Sequence, residues 1–188
     1  MLTALLGYLI IFGFFFTEGR IRSGEEAKSW KAGRFDQRST LYIFIAYFVS
    51  GLALLLAWVF NRLGIGLLPA WTGWLGLAIA LFGLLFRWWA NRVLGAFYTR
   101  TLKVAENQVI VRAGPYRLIR HPGYLGSILM WTGVAVSTTN WIVVLLVLAV
   151  MLVAYVYRIQ TEEQMLLSTN AEYGDYRSKT WRLIPFLY

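Results

Sequence analysis

Arg158 and Glu162 stand four residues apart, so a helix would present both on one face. An arginine placed this way can engage both oxygens of a planar carboxylate. A neighbouring glutamate can hold the guanidinium in position or receive a cationic ligand. The same spacing also describes an ordinary surface ion pair, worth roughly a few tenths of a kcal/mol. His121, the chain's single histidine, lies between Arg120 and Pro122 at a predicted helix start. Free main-chain N–H groups there can meet an anion, although headgroups and water can equally satisfy an interfacial histidine. Tyr116 and Tyr124 flank it, as interfacial anchors or as aromatic faces for a nucleoside or a sulfonium cation.

These groups come together only if the chain between them folds back. The 34 residues from Tyr124 to Tyr157 carry no formal charge, which is too long for one ordinary bilayer crossing. Ser137-Thr138-Thr139-Asn140 sits near the centre, and such residues compete with the helical backbone and favour turns. The pattern predicts a hairpin of two helices, about 124–136 and 141–157, with the polar groups at both feet meeting at one membrane surface. Three more uncharged stretches precede it: Leu2–Phe16, Leu41–Phe60 and Leu67–Phe86. The predicted class is an all-α polytopic membrane protein of about five transmembrane helices, with a C-terminal helical hairpin and a cytoplasmic cofactor pocket. It forms a single integral membrane domain over 1–188, with a three-helix part in 1–90 and the motif region in 91–188.

Composition agrees with lipid as the solvent: 59% of residues are hydrophobic and 14% charged. Lys and Arg number six in 17–40, one in 61–66, seven in 87–123 and four in 158–188. With the N-terminus outside, 17 of the 18 fall on the cytoplasmic side, as the positive-inside rule requires. The C-terminus and the site are then cytoplasmic. The net charge of +9 marks a rim for anionic membrane lipids and not a nucleic-acid surface. Absence of cysteine removes disulfides and thiolate metal sites, and one histidine argues against a zinc site, so no metal is expected. The first 16 residues lack a basic start and a cleavage site, which is the pattern of a retained helix. No charge falls inside a predicted span, which argues against a pump or coupled transporter. The 17–40 segment is expected to be a solvated loop or an interfacial helix without chemistry. Val104–Arg112 alternates loosely, as a short extended stretch would.

The ordered set GPYRLIRHPGYLG, an apolar hairpin, RIQTEE and the Tyr-rich tail AEYGDYRSKTWRLIPF resembles the isoprenylcysteine carboxyl methyltransferase family. Phospholipid methyltransferases share a looser form. The resemblance covers roughly Val104 to Phe186 and implies a membrane-embedded methyltransferase using S-adenosyl-L-methionine without a Rossmann domain. Carried over by position, Gln108, Val109, Ile110, Val111, Tyr116, His121, Pro122, Gly123 and Tyr124 would line the cofactor. Gln108 stands where the family often has His. Arg158 and Glu162 would act beside the reacting groups, and the tail 172–188 would close over the pocket.

Methyl transfer from a sulfonium to a carboxylate needs no metal and no strong base, only alignment and exclusion of water. The implied acceptor is a prenylcysteine-like carboxylate, on a lipid-like or prenylated molecule. N-methylation of a phospholipid amine is the alternative, and there Glu162 or Glu163 would serve as base. A sterol-reductase-like NADPH oxidoreductase and a non-enzymatic lipid-binding scaffold are two further readings.

Overall fold

In lipid, every main-chain N–H and C=O must be satisfied within the segment, so long apolar runs become helices. The computed structural model describes residues 2–21, 33, 35–95, 101–102 and 109–188. Its helices are α1 (Leu2–Ile21), α2 (Ser39–Arg62), α3 (Thr72–Leu94), α4 (Pro122–Ser137), α5 (Trp141–Thr169) and the short α6 (Tyr173–Ser178). A 3₁₀ turn occupies Gly114–Arg117. Among the described residues there is no strand, only isolated bridges at Leu67–Asn140 and Ile119–Trp181. The all-α polytopic membrane class is as expected. Among the described residues, three helices (α2, α3 and α5) are long and apolar enough to cross a bilayer, whereas α1 is apolar only to Phe16 and α4 has 16 residues.

The hairpin forms where the polar tetrad predicted it. The side chain of Asn140 accepts from the Val143 N–H and so caps α5, while Thr139 takes a positive φ of 56°. Buried polar groups at this end need partners, and they find them across the bundle. Asn61 Nδ2 donates to the Thr138 carbonyl, Asn140 Nδ2 donates to Asn61 Oδ1, and Thr3 donates to the Ser137 carbonyl.

α3 and α4 pack the most closely of all the pairs. Gly76 and Gly83 on α3 face Gly133 and Gly126 on α4. A Cβ at Gly76 would lie 2.4 Å from Ser137 N, and one at Gly133 the same distance from Ala80 N. Only residues this small let two backbones approach so far. The core around them holds Trp131, Tyr155, Met130 and Met151 from α4 and α5, with Phe14 from α1.

The helices run past the apolar stretches that announce them. α1 continues to Ile21, α3 to Leu94 and α5 to Thr169, which makes Glu18, Arg87, Arg158, Glu162 and Glu163 helical residues at one end of the bundle. Main-chain hydrogen bonding is already propagating there, so the helix continues and its buried polar side chains need partners. Residues 109–112 are non-helical, and the rest of the predicted extended stretch, with Gln108, lies outside the described residues.

Candidate active site

The up-and-down order of the helices brings five polar ends together: the end of α1, the start of α2, the end of α3, the start of α4 and the exit of α5. Between them lies a cavity of about 390 Å³. Val109, Ile110 and Val111 form one wall, with Tyr116, His121, Gly123 and Tyr124. Arg158 and Glu162 complete it from α5, and Tyr173 and Tyr176 from the tail. Pro122, also expected there, is buried at the first position of α4 and is not among the lining residues.

The sequence places Arg158 and Glu162 on one helical face, but the carboxylate in ion-pair contact with Arg158 is Asp36. Nη1 of Arg158 lies 2.9 Å from Asp36 Oδ1 and also donates to Ser39 Oγ and Thr40 Oγ1. The link to Glu162 runs through Tyr124, whose hydroxyl receives Arg158 Nε at 3.3 Å and donates to Glu162 Oε2 at 2.5 Å. The Tyr124 ring stacks on His121 with centroids 5.4 Å apart and leans on Tyr155 at 5.1 Å. His121 Nδ1 stands 4.0 Å from Glu162 Oε2. The hairpin therefore does bring Arg158 and Glu162 beside His121.

At Asp36 the structure departs from the solvated segment expected over 17–40, of which 22–32 and 34 lie outside the described residues. The Asp36 side chain is buried, and it accepts from the Thr40 N–H, the Ser39 and Thr40 hydroxyls and the Leu102 N–H. Burial alone would raise this carboxyl. The Thr40 hydroxyl, the Arg158 charge and the two main-chain donors outweigh it, and hold the group below the usual carboxylate range. A signal was present in the sequence: Asp followed by Ser and Thr three and four residues later opens an apolar run, as at many helix starts.

A second pair was also missed. Glu18 and Arg87 both line the cavity, and Arg87 Nη2 lies 2.7 Å from Glu18 Oε1. Arg87 Nη1 donates to the Gly123 carbonyl and to Ser127 Oγ, which ties α3 to the start of α4. The glycine contact between these helices is what makes that reach possible.

Glu163, the other candidate base, is not among the residues that line the cavity. Its carboxylate holds Arg120 Nε at 2.8 Å, Arg182 Nε at 3.0 Å and His121 Nε2 at 3.4 Å. It faces the tail and fastens it. Trp181 N donates to the Leu118 carbonyl and His121 N to that of Arg182, so 180–183 runs along 118–121. Tyr176 donates to the Tyr116 carbonyl, and burial pushes its phenol up to about 12. From the tail, Tyr173 and Tyr176 thus reach the cavity and line it.

Two of the residues that line this cavity, Asn91 and Tyr173, each hold a buried donor without a protein partner among the described residues, Asn91 Nδ2 and the Tyr173 hydroxyl. Such atoms cost free energy unless a ligand or water receives them. Aromatic faces and a non-helical main chain at 109–111 give the cavity surfaces on which a flat ring or a cation can rest.

The phospholipid methyltransferase family model matches residues 71–174. The cobalt-zinc-cadmium resistance protein CzcN of Cupriavidus metallidurans is 30% identical over 115 residues, which is 61% of this chain and 48% of that protein. The structure of a eukaryotic intramembrane Ras methyltransferase, isoprenylcysteine carboxyl methyltransferase, superposes with a TM-score of 0.58 at 24% identity. That match covers 80% of this chain and 53% of the other. The chain spans about half the length of the proteins it matches.

Proposed function

The chain belongs to the phospholipid methyltransferase family, and on that footing we propose that it transfers a methyl group from S-adenosyl-L-methionine to a lipid-borne acceptor. The acceptor that fits best is a prenylcysteine-like carboxylate. One observation carries this reading: the motif residues 109–111, 116, 121, 123 and 124 line the same cavity as Arg158 and Glu162.

When bound, the cofactor supplies a methyl group already activated on a sulfonium. Asn91, Tyr173 and the main chain of 109–111 would hold its polar groups, and Tyr116 and Tyr124 would pack on its rings and charge. Gln108 falls outside the described residues, so its part rests on the resemblance alone. Arg158 orients the acceptor carboxylate. Asp36 partly neutralises that guanidinium, which tempers ground-state pairing and leaves the nucleophile reactive. The acceptor's chain would enter from the bilayer past Phe15 and Phe44, which line the cavity and are also exposed outward. Charge placement supports an N-terminus outside and a cytoplasmic cavity.

Methylation of a phospholipid amine is the second reading, favoured by two carboxylates in the cavity, Glu18 and Glu162. Glu162 would then receive the ammonium or its proton. The test is transfer from radiolabelled methyl donor by the reconstituted protein to a farnesylcysteine analogue or to phosphatidylethanolamine. Label on the first supports the carboxyl reading and label on the second the amine reading. Binding of NADPH in preference to S-adenosylhomocysteine would overturn both.

A further inference from the structure

Behind the reaction cavity, three guanidiniums converge on one carboxylate. Glu163 receives Arg120 and Arg182 in direct contact, and Arg177 Nε stands 4.0 Å away. Arg120 is buried, and its Nη1 is given to the carbonyls of Arg177 and Thr180. Arg177 and Arg182 are different, with side chains 44% and 27% exposed. One carboxylate balances one guanidinium, so this cluster retains positive charge that faces outward.

The same arginines, with Thr180, Trp181 and Tyr188, line a shallow hollow that is open to the surface. Arg120 forms the wall shared with the reaction cavity. Beside it the tail exposes apolar side chains that have no protein cover, among them Phe186 at 87% and Leu187 at 77%. A soluble surface would not keep such a patch next to a cationic hollow, but both suit the boundary between headgroups and acyl chains. Phosphate oxygens match the forked donors of arginine, and the apolar rim matches what is attached to the phosphate.

We propose that this tail pocket binds the headgroup phosphate of an anionic phospholipid from the surrounding leaflet, at a site separate from the reaction cavity. The inference rests on the fold and its charges and does not require the methyltransferase reading. Arg120 N donates to the Trp181 carbonyl at 2.7 Å, so a tail held by lipid also steadies the start of α4.

The test titrates phosphatidylglycerol with brominated acyl chains into the full chain held in phosphatidylcholine nanodiscs, and follows quenching of tryptophan fluorescence. Saturable quenching is expected, and Arg177→Gln should weaken it roughly five- to tenfold. Lys179→Gln, a nearby loss of equal charge outside the pocket, should change it less than about twofold. Quenching that rises without saturation, or equal loss in the two variants, would overturn the site in favour of diffuse attraction. Soluble glycerol phosphate that competes as well as the lipid would overturn the lipid as its source. Should Arg177→Gln lower the melting temperature, Arg177→Lys, which keeps the charge and removes the fork, decides. Weaker saturable quenching supports the arginine contact, and unchanged quenching overturns it in favour of diffuse charge.

Discussion

Arg158 and Asp36 are 122 residues apart in sequence and 2.9 Å apart in the structure. This contact joins the exit of α5 to the start of α2 and sets the direction of the guanidinium that faces the cavity. Breaking a buried pair from one side leaves the other charge uncompensated, at about 3–5 kcal/mol. Asp36→Ala should destabilise the protein by roughly that amount, as measured by thermal unfolding in detergent.

The same contact makes a pH prediction. A carboxyl held below its unfolded value stabilises the fold in full above that value, about 3.9, and loses the contribution as pH falls through the folded value. The melting temperature should therefore drop as the solution is acidified below about pH 4. Asp36→Asn should start lower and show a shallower acid limb. Parallel acid limbs in the two proteins would count against it.

Tyr124→Phe removes only the hydroxyl between Arg158 and Glu162 and keeps the ring against His121 and Tyr155. Methyl transfer at saturating cofactor should fall about tenfold or more, the size of one lost charge-assisted contact. Binding of S-adenosylhomocysteine by calorimetry should change little.

Asn91→Leu and Tyr173→Phe are expected to separate affinity from stability. Each removes a buried donor without a protein partner, so the melting temperature should hold or rise. Affinity for S-adenosylhomocysteine should fall by roughly tenfold, as for one lost hydrogen bond in a closed site. A variant that melts lower and binds normally would show that the donor is structural.

Gly133→Leu should force α3 and α4 apart, because even a Cβ there meets Ala80 N at 2.4 Å. Overpacking of this kind costs about 1–3 kcal/mol, and more against backbone than against a side chain. Loss of melting temperature and of cofactor binding together is the expected outcome, since the same contact lets Arg87 reach Gly123.

Much of the site was legible in one dimension because its signals are local. The single histidine before Pro122, the i, i+4 pair at the hairpin exit and the polar tetrad at 137–140 each act through neighbours along the chain. Periodicity and charge were enough to find the membrane class for the same reason: lipid imposes its demand on every segment separately. Glu163 shows the limit. Its neighbour Glu162 faces the cavity and Glu163 faces the tail, a difference set by a helical turn of one residue and by which arginines stand opposite.

What the sequence alone determined, then, was the solvent, the hairpin and the chemical types gathered at its feet. Partner choice belonged to the tertiary structure. Asp36 for Arg158, Glu18 for Arg87 and the arginines around Glu163 are contacts between distant segments. Coulombic and hydrogen-bond energies depend on distance in space, and only the packing of α3 on α4 and α2 on α5 brings those groups within reach.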